Sequence, residues 1–269
     1  MLTGETRLVG LLGNPVSHSL SPRMQNAAFA ARGLNWAYVP LPVEPEHLEA
    51  AVSGLAALGF AGANVTIPHK SAVVAFCHEL DAVAERAGSV NTLVIQDGRV
   101  LGSSTDGLAV TDAVSVEGAR VLVLGAGGAA VAGAVALLDA GATGVTVAAR
   151  DPSRAHALAD RLLALSPEKD VSASDVWPPE PGDATLIVNA TPLRNEIPVA
   201  PRAGQAVVDL AYRTGGEPTA LVTAAREAGC EPVVDGLEVL VRQGAASFER
   251  WTGMTAPLDV MRLALRDEG

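Results

Sequence analysis

Residues 121–138 carry no charge, and that run limits what the chain can become more than any other part of it. Eighteen apolar or small residues are long enough to admit a membrane span. The order of residue types argues otherwise: VLVL is a buried-strand pattern, GAGGAA a turn, and AVAGAVALL a helix of small residues. A strand that feeds a helix through a glycine turn opens a βαβ unit, which needs a parallel partner strand and a covering helical layer. The chain supplies both. RVLVLG is followed by GVTVAAR, a helical stretch over 153–165, TLIVNAT, AVVDLAY and TALVTAAREAG. Before it, RLVGLLG, PRMQNAAFAARG, WAYVPLPV, EHLEAAVSGLAALG and GANVTIP alternate in the same way, and SVNTLVIQDGRVLGSS reads as two strands joined by an Asp97-Gly98 turn.

Two such series in 269 residues predict an α/β protein of two domains, each with a mostly parallel sheet. The boundary falls near 103–112, where the first pattern ends. DVWPPEPGDA at 175–184 is the most linker-like stretch, but it lies inside the second series and reads as a surface loop. Glu5 and Arg7 interrupt the N-terminus before a signal-length apolar segment, and the two cysteines have no metal-type spacing, so the expectation is a soluble cytoplasmic chain without a metal. A formal net charge of -11 disfavours nucleic acid. An anionic ligand would then have to be held by a few local cations and backbone amides.

The turn Gly125-Ala126-Gly127-Gly128-Ala129-Ala130 stands directly after a strand and opens a helix, the context a dinucleotide-binding turn requires. Glycines allow close approach to a pyrophosphate, and free amides at the helix start stabilise its charge. A glycine-rich turn with no ligand is the alternative. The first strand is followed by GNPVSHSLSP, residues 13–22. Ser21 and Pro22 make a good helix start, serine as N-cap and proline in the first turn. That does not account for Asn14, His18 and Ser19 on the same loop.

GNPVSHSLSP resembles the N-terminal signature of the shikimate dehydrogenases, which reduce 3-dehydroshikimate to shikimate with a nicotinamide cofactor. Further matches follow in order: Asn64-Val-Thr66-Ile-Pro68-His-Lys70, Ser89-Val-Asn91-Thr92, Ser104-Thr105-Asp106-Gly107, the glycine turn, Asn189-Ala-Thr191, Asp209-Leu-Ala-Tyr212, and Asp235-Gly236 with Gln243 downstream. The resemblance implies a substrate-binding domain of residues 1–105 completed by C-terminal helices over 238–269, with a Rossmann-type domain over 106–237 between them. It implies Lys70 and Asp106 as the catalytic pair, and it makes Ser19 and Ser21 the carboxylate binders. Thr66, Asn91 and Gln243 match positions that hydrogen-bond the ring hydroxyls, and Tyr212 one that lines the cleft. Gly125, Ala126, Gly127, Gly128, Ala129, Arg150, Arg154, Asn189, Thr191 and Gly236 match cofactor positions. The chemistry of the residues agrees: reducing a ketone leaves an alkoxide that must receive a proton, and a lysine beside a carboxylate can stabilise that oxygen and relay the proton. Taken singly, Lys70 could be a solvated lysine, Asp106 the N-cap of a helix beginning at Gly107, Gln243 an exposed glutamine and Tyr212 a core residue.

The second strand of the nucleotide domain ends in Ala149-Arg150-Asp151-Pro-Ser153-Arg154. Two guanidiniums suit the 2′-phosphate of NADP, whereas Asp151 could read the ribose of NAD unless it caps the following helix. The expectation is NADP, with NAD as the alternative, and a small-molecule substrate for a monomer or homodimer with neither nucleic acid nor membrane as partner. The other readings are an NAD-linked quinate/shikimate dehydrogenase and a nucleotide-responsive binding protein that has lost turnover; Lys70 and Asp106 argue against the last. Two segments leave the family's pattern. After Thr191, where a glycine is usual, the chain runs Pro192-Leu-Arg194-Asn-Glu, and RTGGEPT after Tyr212 is longer than usual, so Pro218 and Thr219 receive no role. His18, His69 and Cys77 receive none either.

Overall fold

The computed structural model describes residues 2–266, which fall into two compact units: 2–105 with 241–266, and Asp106–Leu240. In the first unit the elements are β1 (Arg7–Gly13), α1 (Ser21–Ala31), β2 (Trp36–Pro42), α2 (Leu48–Ala57), β3 (Gly62–Val65), β4 (Glu79–Leu80), α3 (Ala82–Ala87), β5 (Thr92–Gln96) and β6 (Arg99–Ser103). Its sheet has the order β2-β1-β3-β5-β6-β4. Only β5 runs against its neighbours; β1 pairs in parallel with β2 and β3, and β4 with β6. Val9, Leu11 and Leu12 of β1 are all buried, which explains why an interior strand covered on both faces reads as a continuous apolar run. Between β5 and β6, Asp97 (φ 52) and Gly98 (φ 74) are both left-handed, the primed turn that matches strand twist.

The second unit contains α4 (Asp106–Thr111), β7 (Arg120–Leu124), α5 (Gly128–Asp139), β8 (Gly144–Ala148), α6 (Pro152–Leu165), β9 (Asp170–Ala173), β10 (Leu186–Asn189), β11 (Ala206–Asp209), α7 (Ala220–Glu227) and β12 (Val233–Val234). Its sheet, β12-β11-β10-β7-β8-β9, is parallel throughout. The chain winds outward from β7 through β8 and β9, returns, and winds outward again through β10, β11 and β12, so the order reverses between β7 and β10. The uncharged run is β7, its turn and α5, and no described helix is long and apolar enough to cross a membrane. The helix is built of small residues because it is packed on more than one side. Ala130, Ala132, Ala134 and Leu137 are buried, and a Cβ on Gly107 of α4 would overlap Ala136 and stand 2.8 Å from the Ala132 carbonyl. Short strands are what the sequence reading overlooked: β4 and β12 have two residues each, too few to show any period.

Two helices close the chain, α8 (Gly236–Thr252) and α9 (Leu258–Arg266). From Val241 onward α8 belongs to the first unit, where Phe248 stacks on Phe29 at 5.5 Å and the Trp251 indole N–H donates to the Leu93 carbonyl at 2.9 Å. Along α8, Val239, Val241 and Phe248 are buried, while Leu237 and Leu240 are half-exposed.

Two glycines in the first unit separate packing from propensity. A Cβ on Gly62 would overlap both the Leu93 carbonyl and the Trp251 indole nitrogen, the two groups that hydrogen-bond across it, whereas nothing lies within 4 Å of one on Gly54 in α2. Gly62→Ala is expected to destabilise by about 1–3 kcal/mol through overpacking, and Gly54→Ala to stabilise by about 1 kcal/mol through helix propensity. Denaturant midpoints of the two variants check this; shifts of the same sign would refute it.

Candidate active site

In the first unit the loops that carry the candidate residues meet at the carboxyl ends of β1 and β3. The Asn14 N–H donates to the Ile67 carbonyl at 3.0 Å and the Thr66 N–H to that of Leu12 at 2.8 Å, so the loops after β1 and β3 run side by side. Val90 N–H to Lys70 O at 2.8 Å, Val65 N–H to Asn91 O at 2.8 Å and Asn91 N–H to Ser103 O at 3.1 Å add the entry to β5 and the exit from β6. Ser19, Ser21, Thr66, Lys70 and Asn91 therefore all stand at one end of one sheet. Asn91 is buried, Ser19, Thr66 and Lys70 half-buried. Gln243 joins them from α8, its Oε1 3.5 Å from Asn91 Nδ2.

Ser21 is not the N-cap expected of it. The first helical bond of α1 runs from the Met24 N–H to the Leu20 carbonyl at 3.1 Å, which makes Leu20 the cap and Ser21 the first helical residue. The hydroxyl that serves this turn is that of Ser19, which accepts from the Ser21 N–H at 3.2 Å. Pro22 still sits in the first turn, where its missing N–H costs nothing.

Behind these residues lies a buried polar network that the sequence reading did not find. The Tyr38 hydroxyl donates to Asn64 Oδ1 at 2.9 Å, and Asn64 Nδ2 donates to Asn91 O at 3.0 Å and Ser247 Oγ at 3.0 Å. Thr92 and Ser247 hydroxyls meet at 2.8 Å. The Thr105 N–H donates to Asn91 Oδ1 at 2.8 Å, which fixes which way that carboxamide faces, and Asn91 Nδ2 reaches Thr105 Oγ1 at 2.9 Å. Ser247 and Thr105 hydroxyls both donate to the Gln243 carbonyl, at 3.0 and 3.1 Å. One signal was available: Asn64 sits in a strand that is buried at every position, and a buried carboxamide must find partners.

Asp106 follows Thr105 directly. It is 8% exposed and is itself the first residue of α4, so the helix does not begin at Gly107.

In the second unit the glycine turn has the form an anionic ligand needs. Gly125 is left-handed at φ 108, and a Cβ there would stand 3.1 Å from the Ala190 carbonyl and 3.4 Å from Thr191 Cγ2, which places Asn189 and Thr191 beside the turn. Gly127 is the N-cap of α5, and a Cβ on it would meet nothing within 4 Å. Packing within the chain does not require glycine at 127, whereas a phosphate lying on the helix start would. The first bond of α5 is Val131 N–H to Gly127 O at 3.0 Å, so the amides of Gly128, Ala129 and Ala130 have no intrahelical acceptor. Ala126 is half-buried at the crest of the turn, and Ala130, where a third glycine is common, is buried in the core below α5.

Arg150 and Arg154 are exposed at the end of β8 and the start of α6. Asp151 between them caps α6, accepting from the Ser153 N–H at 3.0 Å and hydroxyl at 2.6 Å. The Ser153 hydroxyl, with help from Arg154, holds its carboxyl below the usual range, so the carboxylate is engaged within its own turn. Tyr212 is half-buried and shares a shallow pocket with Pro218, Thr219, Asp235 and Gly236. Gly236 has a packing reason of its own, since a Cβ there would overlap the Ala211 carbonyl. Thr219, left without a role by sequence, is buried, caps α7 through the Val222 N–H at 3.2 Å, and donates to Asp209 Oδ2. Asp209 Oδ1 accepts from Asn189 Nδ2 at 2.8 Å and the Ala211 N–H at 3.0 Å.

Comparison with known proteins gives a consistent result. Residues 11–93 match the family described as the shikimate dehydrogenase substrate binding domain, 108–172 the shikimate / quinate 5-dehydrogenase family, and 236–266 the shikimate 5′-dehydrogenase C-terminal domain. The chain is similar to the shikimate dehydrogenase (NADP(+)) of Rubrobacter xylanophilus, 48% identical with 100% of this chain and 98% of that protein covered. It is also similar to that of Methanothermobacter thermautotrophicus, at 41% with 99% and 98% covered. Among solved structures, the shikimate 5-dehydrogenase of Thermus thermophilus in complex with NADP(H) and shikimate superposes with a TM-score of 0.83 at 33% identity, covering 97% of this chain and 98% of that one.

Burial pushes the Asp209 carboxyl above its ordinary value, against the pull of the hydrogen bonds from Thr219, Ala211 and Asn189. A carboxyl that holds its proton more tightly in the folded chain contributes most below its ordinary pKa, and that contribution is lost as pH rises toward the raised value. Asp209→Asn cannot ionise. Its stability relative to the native chain is therefore expected to improve as pH climbs from about 4, measured by thermal or denaturant unfolding across that range; a pH-independent difference would count against this account of Asp209.

Proposed function

The chain belongs to the shikimate dehydrogenase family, and from that membership we propose that it catalyses the NADP-dependent, reversible reduction of 3-dehydroshikimate to shikimate. The observation that carries this reading is the gathering of hydroxyls, carboxamides and one lysine at the carboxyl end of the first unit's sheet, a donor set suited to a small acid bearing several hydroxyls. The first unit holds the substrate and the second the cofactor. Ser19 and Ser21 take the carboxylate; Thr66, Asn91 and Gln243 take the ring hydroxyls, and Tyr212 borders the reacting end.

When bound, the reduced cofactor NADPH would supply the hydride, and in the reverse direction NADP+ would accept it. What the chain adds is a place for the charge. As the ketone carbon is reduced its oxygen becomes an alkoxide, and the Lys70 ammonium donates a hydrogen bond to that oxygen and passes it a proton. Asp106 is the lysine's partner in the catalytic pair that the family's pattern implies. Gly125 to Ala129 receive the pyrophosphate on the amides of α5, Asn189, Thr191 and Gly236 border the nicotinamide half, and Arg150 with Arg154 pair with the 2′-phosphate. Asp151, occupied as a helix cap, is withdrawn from the ribose it would otherwise read. We place the reaction in the cytoplasm, where the thiols of Cys77 and Cys230, both free, persist unoxidised.

Lys70→Ala and Asp106→Asn are each expected to lower kcat by about 10²-fold or more, with cofactor affinity little changed. Turnover near that of the native chain in either variant removes the assignment, and native protein that binds NADP and shikimate without turning over restores the reading as a binding protein.

Arg150→Ala is expected to weaken NADP far more than NAD, while Asp151→Thr, which keeps a capping hydroxyl and removes the carboxylate, widens the preference for NADP. Values of kcat/KM with both cofactors, on shikimate and on quinate, decide this; a higher value with NAD would show Asp151 reading the ribose.

A further inference from the structure

The two segments in which this chain departs from its family's pattern are bound to each other. The Arg213 guanidinium donates to Asn195 Oδ1 at 2.7 Å and to the Arg194 carbonyl at 3.1 Å. The Ala220 N–H, at the start of α7, donates to the same carbonyl at 2.9 Å. At their roots the loops after β10 and β11 are joined again, by Asn189 to Asp209 and by Asp209 to Thr219. Fastened at base and tip, residues 191–195 and 213–219 form one ledge along the carboxyl ends of β10 and β11, beside the point where the strand order reverses.

The inner end of the ledge is Thr191. Its N–H and hydroxyl both donate to Asn189 Oδ1, at 3.1 and 2.7 Å, its hydroxyl lies 3.4 Å from the Leu193 N–H, and its methyl group faces Gly125 of the glycine turn. Three and four residues farther along stand the Arg194 carbonyl and Asn195 that Arg213 holds. Where the family's usual glycine would let this loop turn by itself, the chain has Pro192-Leu-Arg194-Asn and fixes the loop from outside. Arg213 makes that contact with two neutral oxygens, and it has no carboxylate partner among the described residues, so its charge strengthens both bonds and stays on the ledge.

We infer that Arg213 is a positioning residue for the cofactor: it holds the loop after Thr191 in the shape that receives the nicotinamide half of NADP. The inference rests on the function proposed above. It is specific to this chain's two atypical segments, and it makes them one device instead of two unrelated departures.

The test uses the full chain, with NADP affinity measured by calorimetry and KM measured for NADP and shikimate separately. Arg213→Ala is expected to raise Kd and KM for NADP about tenfold, the order of one charge-assisted hydrogen bond, with KM for shikimate within about twofold of native. Arg213→Lys, which keeps one cationic donor, recovers part of the loss. Asn195→Ala shifts NADP affinity the same way by less, and adding it to Arg213→Ala changes little further, because both remove one contact. Unchanged NADP affinity in Arg213→Ala overturns the inference. So does an equal rise in both KM values with no recovery by lysine, which would mark Arg213 as part of general stability. Native chain that fails to bind NADP removes the proposed function and this inference together; native binding with an unaffected Arg213→Ala removes the inference alone.

Discussion

Two buried carboxamides tie together separate stretches of the first unit. Asn64 and Asn91 are 5% and 2% exposed, and in so dry a setting each unpaired donor or acceptor would cost about 1–3 kcal/mol. The fold satisfies them with groups from four separated stretches of chain: Tyr38 on β2, Thr92 on β5, Thr105 after β6, and Gln243 and Ser247 on α8. Because those partners are far apart in sequence, their bonds do more than satisfy polarity. They fix which loop lies against which. A carboxamide whose oxygen accepts from the Thr105 N–H and whose amino group reaches Thr105 Oγ1 is held in one orientation. Asn64, Tyr38, Thr92 and Ser247 form a layer behind Asn91 and Gln243, and Ser247 brings α8 into it from the C-terminal part of the first unit.

The second unit solves the same problem with a carboxylate. Asp209 is wholly buried and receives Asn189, the Ala211 N–H and Thr219, three donors on two oxygens. A buried charge is expensive unless it is so surrounded, and burial outweighs its donors enough to raise its pKa. What it obtains structurally is the alignment of the loops after β10 and β11. In both units the sheets are ordinary; what is particular lies in the polar side chains that the strands carry and in the loop groups that bond to them.

This division explains what could be read from sequence. Strands β1, β7 and β8 and helices α5 and α6 were legible because burial on one or two faces writes itself into residue order, and the Asp97-Gly98 turn because few residues tolerate its dihedrals. Asp151 as a cap was legible because capping is local. Ser21 was misjudged at the same scale: a serine before a proline is a good cap, yet here the helix begins one residue earlier and Ser19 supplies the hydroxyl. The polar layer was not legible, since Tyr38 and Ser247 gain their meaning from contacts across 26 and 183 positions. Thr219 and Arg213 were obscured differently. The family's pattern has a different spacing there, and only the folded chain shows that the longer loop returns to the same carboxylate and reaches across to its neighbour.

The charge of the chain poses the remaining question, because a protein of formal net charge -11 is proposed to bind a cofactor that is itself polyanionic. A general field would repel it. The second unit answers locally, with amides of the first turn of α5, which are dipoles and add nothing to net charge, and with Arg150 and Arg154 exposed at the far end of the same strand edge. Asp151 stands between them and acts on Arg154, but its carboxylate also accepts from the Ser153 N–H and hydroxyl as the cap of α6. Acidity elsewhere on the surface is screened beyond roughly 8–10 Å at physiological ionic strength, whereas the cations and amides act in direct contact. Selectivity for a phosphorylated cofactor is thus compatible with an acidic protein as long as the nearest carboxylate has another partner, and here that partner is the third residue of its own turn.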